Sequence, residues 1–357
     1  MPGSNFNFET IEFLDPNGQL KRPLPEALAT RDKLVELYQL MVQTRVFDRA
    51  AINLQRTGAM GTYPSCEGQE AIGTGVGYAM NENDVLVPYY RDIATQIQRG
   101  VLLEEILRYW GGDEWGMHFQ HQAQDFPISV PIATQSCHAV GVAYAMKYRQ
   151  QPRAVVTTCG DGATSKGDFY ESINIAGALA LPVVFVVNNN RWAISVPLEK
   201  QTAAQTIAHK SLAAGIDGYR VDGNDPIAVF QVLSEALELA RNEQRPSLVE
   251  ALTYRLCDHT TADDASRYRP QQEFDAAREL EPLIRFKAYL QKEQQWSDAD
   301  DESIYADCKK QVKKAIEAYQ AFPEQPPGQF FDYMFAKRTA DLEQQKQEWL
   351  AGVKRHG

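Results

Sequence analysis

Residues 153–195 read RAVVTTCGDGATSKGDFYESINIAGALALPVVFVVNNNRWAIS. Residues 154–159 are apolar and largely β-branched, which predicts a buried strand. Gly160-Asp161-Gly162 ends it, and two glycines around one acid allow a sharp turn and close approach of backbone to a ligand. Over 168–180, Phe169, Ile173, Ala176 and Ala180 recur at helical spacing. Pro182 then opens an apolar run over 183–187, a second buried strand, which ends in Asn188, Asn189 and Asn190. Two parallel strands joined by a right-handed crossover helix bring their carboxyl ends side by side. Asp161 would then face the asparagines across one crevice, where open α/β sheets bind ligands. One carboxylate with amide and carbonyl oxygens suits a hard octahedral ion such as Mg²⁺, completed by phosphate oxygens and water. The turn before the helix offers free N–H groups to a phosphate.

The composition narrows the setting. A chain of 357 residues, 44% hydrophobic, has enough apolar material for a large α/β core with appendages. A net charge of −11 argues against tracking nucleic-acid phosphates. Five cysteines without CxxC spacing fit free thiols in a reducing compartment. No apolar run reaches the length of a membrane span. The first twenty residues hold acids but no Lys or Arg, unlike a secretory or mitochondrial leader. A bacterial cytoplasmic protein, or a processed mature form, is expected.

Outside the central stretch, residues 1–30 read as an extended arm lying on the fold or on a partner subunit. Thr30 or Asp32 is placed to cap a helix reaching Arg56. A helix over 67–80 holds Gly68, Gly73, Gly75 and Gly77, a composition that calls for close packing against another helix. Val85-Leu86-Val87 is a short strand followed by Tyr89-Tyr90-Arg91-Asp92. Arg91 has two readings, a bidentate grip on a phosphate or a surface pair with Asp92. Residues 111–135 read as loop. His118 and His121 there lack a third zinc-type ligand in a firm frame. A helix follows over 135–148. A strand is expected over 218–221, then a helix over 226–242 capped by Asp225 with Pro226 at its first position. The strand over 247–256 leads into a polar loop around His259, which is either a structural histidine or an active-site base or orienter. Residues 270–322 read as helices with Leu283, Phe286, Tyr289 and Leu290 as a core stripe. A Pro-rich break over 323–328 precedes a charged amphipathic helix to the end.

The sequence GDG, twenty-six residues, then NN resembles the pattern of thiamine diphosphate enzymes. The span corresponds to one helix plus one strand. Tyr90-Arg91, the stretch Ser129-Val130-Pro131-Ile132-Ala133-Thr134-Gln135, Gly167-Asp168-Phe169-Tyr170-Glu171, Arg220-Val221-Asp222-Gly223 and the loop His259 to Arg269 (HxTxxDDxxxYR) extend the likeness over roughly 30–340. The chain is similar to the α subunit of the first component of 2-oxo acid dehydrogenase complexes, bacterial pyruvate and branched-chain types.

That resemblance implies an α/β thiamine-diphosphate-binding fold, a central mostly parallel sheet flanked by helices. It implies an arm over 1–30, a diphosphate-binding module over 31–270 and a helical region over 271–357 packing on core and partner subunits. Asp161, Asn190 and the Trp192 carbonyl would hold Mg²⁺. Tyr90, Arg91, Gly160, Gly162 and Ala163 would hold the diphosphate, and the backbone of Val130 and Ile132 would run beside the aminopyrimidine. Ser129, Pro131, Thr134 and Gln135 match a monovalent cation (K⁺) site of some members. His259 would be catalytic, stabilising charge on substrate or intermediate. Asn188 replaces an arginine of the branched-chain enzymes. Thr260 and Ala262 stand near the serine phosphorylated in mitochondrial relatives, so that regulation is not carried over. Thr62, Tyr63 and Tyr89 are expected near the pocket. The glutamate serving the cofactor belongs to a second module in this family. A partner β subunit in an α2β2 heterotetramer is therefore implied, with a lipoyl-bearing acyltransferase as the downstream component. The expected reaction is oxidative decarboxylation of a 2-oxo acid with reductive acylation of lipoyl groups. Pyruvate comes first as substrate, a branched-chain 2-oxo acid next, then acetoin. A non-catalytic scaffold subunit is the alternative from another class.

Overall fold

The computed structural model describes residues 7–323 and 325–356. The first six residues of the expected arm lie outside them. The chain runs α1 (Arg31–Arg56), α2 (Glu70–Ala79), β1 (Val85–Val87), α3 (Ile93–Gln98), α4 (Leu103–Trp110), α5 (Thr134–Tyr148), β2 (Val155–Gly160), α6 (Gly167–Ala178) and β3 (Val183–Asn189). It continues through a short ribbon, β4 (Trp192–Ala193) and β5 (Val196–Pro197), then α7 (Leu198–Gln201), α8 (Lys210–Ala214), β6 (Asp217–Asp222), α9 (Pro226–Glu243) and β7 (Ser247–Leu252). Helices α10 (Gln271–Glu279), α11 (Pro282–Glu293), α12 (Asp298–Ala321) and α13 (Ala340–His356) follow. Among the described residues, no helix is long and apolar enough to cross a membrane.

Five strands form one parallel sheet in the order β1-β2-β3-β7-β6. The expected β-α-β unit is present, with β2 beside β3 in a register that sets Gly160 opposite Asn188. Strand β3 reads as a continuous apolar run because both its faces are buried. Val183, Phe185 and Val187 pack with Phe169, Ile173 and Ala176 of α6 and with α5. Val184 and Val186 face the opposite core, with Ile72 and Val76 of α2, Val229 and Leu233 of α9, and Leu34, Leu37 and Met41 of α1. Leu283, Phe286, Tyr289 and Leu290 of α11 join that second core, as the stripe predicts. The glycine-rich helix packs as its composition requires: a Cβ on Gly75 would stand 2.5 Å from Val229 Cγ1 of α9.

The arm, from residue 7 onward, lies on its own chain. Ile11 bridges Val221, and Leu14 is fully buried. Asp225 explains this docking. One carboxylate oxygen accepts from Ile227 and Ala228 N–H, both at 3.1 Å, capping α9. The other accepts from Phe13 and Leu14 N–H, both at 2.7 Å. Some bounds differ from the expected ones. Helix α2 starts at Glu70, whose side chain turns back to accept from Gly68 N–H at 2.9 Å. Strand β7 stops at Leu252 and not at Leu256. Beyond it the chain leaves the sheet ladder but stays along the end of β3, Thr253 and Arg255 donating N–H to the Asn189 and Asn190 carbonyls. The Gly160-Asp161-Gly162 stretch is not a hairpin-type turn. It enters a 3₁₀ helix (Asp161–Ser165) with both glycines outside the left-handed region.

Candidate active site

The loops after β2 and β3 enclose a cleft of about 730 Å³, open to solvent on one side. Tyr90, Arg91, Ile132, Gly160, Asp161, Gly162, Ala163, Asn190, Trp192 and His259 all line it. Asp161 is its acid, 1% exposed. Gln201 of α7 donates to its Oδ2 at 2.8 Å. Burial holds its carboxyl above the ordinary range, so the ionised form gains from a cation placed beside it.

The asparagines are oriented by the wall behind them. Asn190 donates its Nδ2 to Gln69 Oε1 at 3.2 Å. Its Oδ1 accepts from Trp192 N–H at 3.2 Å and keeps a lone pair for a further partner. Tyr89 donates its hydroxyl to the same Gln69 oxygen at 3.3 Å and accepts from Asn188 Nδ2 at 2.6 Å. Buried Asn188 Oδ1 is left without a partner. Asn188 thus turns its donor into the wall, through Tyr89.

Arg91 lines the cleft and Arg255 stands behind its lining. Arg91 is 4% exposed and Arg255 is fully buried. Arg91 donates to the Ser65 carbonyl, to the His259 carbonyl at 2.7 Å and to His259 Nδ1 at 3.1 Å. Arg255 donates to the Trp192 carbonyl at 3.2 Å, the Ile194 carbonyl at 2.9 Å, the Tyr268 hydroxyl at 2.7 Å and His259 Nδ1 at 3.4 Å. Every one of these partners is neutral. Neither guanidinium has a carboxylate among its hydrogen-bond partners in the described residues, Asp263 reaching Arg255 only through the Tyr268 hydroxyl, and a buried cation so placed gains from an added anion. The surface pairing of Arg91 with Asp92 does not form; the Asp92 carboxylate instead accepts from Tyr89 N–H at 3.1 Å and from the Thr158 hydroxyl.

His259 sits where both cations meet. Burial, then Arg91 and Arg255, push its pKa down to about 3, against the opposing pull of Asp263. Both guanidiniums can only donate, so Nδ1 is the acceptor and Nε2 carries the proton. A neutral ring with one N–H to give is an orienting group or hydrogen-bond donor near neutral pH, not a cation. Its backbone N–H is fixed by Asp263 Oδ2 at 2.8 Å, and Tyr268 donates its hydroxyl to that same oxygen.

The 129–135 segment lies along the cleft's rim. Ser129, Ile132 and Gln135 line the cleft, whereas Val130, Pro131 and Thr134 do not. The Pro131 carbonyl accepts from the Ser129 hydroxyl and Thr134 N–H, both at 3.3 Å. Gln135 donates to the Thr158 carbonyl at 2.8 Å, and its buried Oε1 has no partner. Ala133, at the start of α5, and Arg191 and Ile194, after β3, adopt left-handed backbone. Strained non-glycine residues of this kind gather at functional sites.

Thr62 and Tyr63 do not line the cleft, although Tyr63 lies beside the His259 loop through Thr261. Tyr63 is fully buried, its hydroxyl spent on Asp48 at 3.0 Å. Tyr89 does line it. His118 packs edge-on against the Trp115 ring, 5.6 Å between centroids. Sequence reasoning missed Arg255, Gln69 and Gln201. For Arg255 a signal existed: an arginine inside the apolar run after Ser247 has no place in a buried strand unless its charge is used.

The donor set fits a magnesium-bound diphosphate. Asp161, Asn190 and the Trp192 carbonyl offer hard oxygen donors, and Arg91 in the lining, with Arg255 behind it, offers the positive charge that such an anion needs. The Trp192 carbonyl would share itself between the metal and Arg255.

The α subunit of 3-methyl-2-oxobutanoate dehydrogenase from Mycobacterium tuberculosis is 38% identical over 357 residues, covering 98% of this chain and 95% of the relative. The pyruvate dehydrogenase E1 component subunit alpha of Bacillus subtilis is 38% identical over 337 residues, covering 94% and 91%. That of Staphylococcus aureus is 36% identical over 339 residues, covering 95% and 92%. Residues 38–328 match the family described as Dehydrogenase E1 component, and on these matches the chain belongs to that family.

Proposed function

We propose that this chain is the α subunit of a thiamine-diphosphate-dependent 2-oxo acid dehydrogenase, acting on pyruvate and passing the acyl group to lipoyl groups of an acyltransferase component. The observation that carries this reading is a buried carboxylate in the cleft lining, Asp161, with Arg91 in the same lining and Arg255 behind it, both guanidiniums hydrogen-bonded to neutral groups alone. Bound in the cleft, thiamine diphosphate would supply the nucleophile and electron sink that decarboxylation of a 2-oxo acid requires. Tyr90, Arg91 and the backbone of Gly162 and Ala163 hold the diphosphate, and Asp161, Asn190 and the Trp192 carbonyl hold Mg²⁺. His259, neutral through the physiological range, donates from Nε2 to oxygen of the substrate. Gln135 Oε1, buried and without a partner, supports a monovalent cation beside Ser129, Pro131 and Thr134.

Asp161 is the acid that lines the cleft, and it is committed to the metal. A second carboxylate for proton transfer at the aminopyrimidine must then come from another chain, a β subunit in an α2β2 assembly. Exposed Val130, Ile132 and Ile194 at the mouth fit coverage by such a partner. Residues 31–270 form the diphosphate-binding module and 271–357 the helical region beside it. Bacterial relatives support a bacterial cytoplasmic setting.

A second substrate has its own support. The branched-chain relative and the B. subtilis pyruvate relative are equally identical to this chain, at 38%. Co-expression with a β subunit, followed by lipoyl-dependent turnover of pyruvate and of 3-methyl-2-oxobutanoate with thiamine diphosphate and Mg²⁺, decides between them. Selective turnover of pyruvate is expected. An assembled enzyme with bound cofactor that turns over neither acid overturns the proposal.

A further inference from the structure

Helix α1 places a carboxylate where no cation answers it. Asp48 is fully buried. Its Oδ1 accepts from the Tyr63 hydroxyl at 3.0 Å and Cys66 N–H at 2.8 Å, and its Oδ2 accepts from the Ser65 hydroxyl at 2.6 Å. Three donors, all from residues 63–66, converge on one group. The Cys66 N–H can only donate, so Oδ1 is an acceptor, while burial pushes the carboxyl's pKa up against the pull of these hydrogen bonds. Burying it costs several kcal/mol that an apolar residue would avoid.

The segment so held is wedged between two parts of the cleft. Its Ser65 carbonyl accepts from Arg91, which also grips the carbonyl and Nδ1 of His259. Its Tyr63 backbone pairs in both directions with Thr261, N–H to the Thr261 hydroxyl at 3.1 Å and carbonyl from Thr261 N–H at 3.0 Å. The arginine and the histidine loop therefore rest on one short irregular stretch. Tyr63, Ser65 and Cys66 have no ladder of their own to fix them, and Asp48 takes that role.

We propose that Asp48 is a positioning residue of the candidate site, acting through Ser65 on Arg91 and so setting where the guanidinium stands for a diphosphate. This rests on the cofactor reading above. A core residue with a merely structural role would weaken the whole fold without regard to Arg91. A positioning residue has an effect that exists only while Arg91 is there to be positioned.

The test is calorimetric titration of the chain, assembled with its β subunit, with thiamine diphosphate in the presence of Mg²⁺. Asp48→Ala should lose about tenfold or more in affinity, since it leaves three buried donors unmet. Asp48→Asn, which keeps an acceptor for the Cys66 N–H, should recover most of it. In an Arg91→Met background, itself weaker, Asp48→Ala should cost nothing further. Should Asp48→Ala fail to fold, Tyr63→Phe and Ser65→Ala each remove one bond to the carboxylate. Each should weaken binding about threefold with Arg91 present, and neither should do so with Met in its place. Equal losses in both backgrounds, or unchanged affinity in every variant, overturn the positioning role. A wild-type assembly that binds no thiamine diphosphate overturns the cofactor reading itself, and this proposal with it.

Discussion

Gly160 and Gly162 flank the same aspartate, yet the structure gives them different duties, and two alanine substitutions separate these. A Cβ on Gly162 would stand 2.6 Å from the Ala193 Cβ. Carbon atoms rest about 3.5–4.0 Å apart, so the two segments must part by roughly 1 Å. Ala193 cannot retreat freely. It lies in β4, paired with Val196 of β5, and Arg255 holds the carbonyls on either side of it, Trp192 at 3.2 Å and Ile194 at 2.9 Å. Overpacking at such a site costs about 1–3 kcal/mol. Gly160 is at φ −81° and ψ 166°, extended backbone that any residue adopts, and a Cβ there meets nothing within 4 Å. Alanine at that position restricts the unfolded chain and should stabilise the fold by about 0.5 kcal/mol. Its methyl, however, would stand in the cleft that Gly160 lines.

The assay is urea denaturation without cofactor, paired with titration of thiamine diphosphate and Mg²⁺ on the assembled protein. Gly162→Ala should lower both stability and affinity, because it parts the Asp161 segment from the Trp192 segment, the two that carry the proposed metal ligands. Gly160→Ala should leave stability equal or slightly raised and lower affinity alone. If Gly162→Ala unfolds within about 0.5 kcal/mol of the wild type, the close packing argued from the 2.6 Å approach is wrong. If Gly160→Ala destabilises the chain, its open surroundings are wrong.

Two further outcomes follow from the carboxylates. Asp161→Ala should abolish Mg²⁺-dependent cofactor binding, read by calorimetry with and without chelator; retained affinity removes Asp161 from the metal site. Asp92, buried with only Tyr89 N–H and the Thr158 hydroxyl donating to it, has its pKa pushed up from 3.8 to about 7 by burial. Between those two values the folded state holds a proton that the unfolded state has released. Stability therefore falls as pH rises through that window, and above it the full cost is present. Asp92→Asn should be the more stable protein above pH 7, by up to about 4 kcal/mol, with the gap closing toward the unfolded value in a series of urea midpoints. A gap that does not change with pH would mean that Asp92 is ionised throughout.

Much of the fold is legible in the sequence because it rests on local, periodic features. The apolar run over 183–187 can be buried on both sides only in a parallel sheet covered by helices. Asp225-Pro226 is a helix start on chemistry alone, and the cap forms as read. The gathering of Asp161 with Asn190 follows from β2 and β3 being neighbours, since their carboxyl ends must then coincide. What escapes the sequence is the partner of each polar group. Nothing in the spacing of Asp48 and Ser65 announces that they meet. Nor does anything in Gln69 announce that it turns the Asn190 amide. The second carboxylate oxygen of Asp225, bound to Phe13 and Leu14, is equally silent.

These unread contacts share a physical origin. Each ties a segment that has no ladder or helix of its own to a residue elsewhere in the chain, and each settles a buried donor or acceptor that would otherwise be unmet. Arg255 shows the consequence for chemistry. Its charge conflicts with the apolar run that contains it, and the strand ends three residues before it, at Leu252. The guanidinium is then spent on the Trp192 and Ile194 carbonyls and on His259. A local rule is broken there, and the breakage places a second fixed cation behind Trp192, Ile194 and His259, which line the cleft. It also adds to burial and to Arg91 in lowering the His259 pKa, because a protonated ring would stand between two guanidiniums that can only repel it. The ring's orientation, Nδ1 toward the guanidiniums and Nε2 left to carry the proton, is thus set in part by an arginine that the sequence marks only as misplaced.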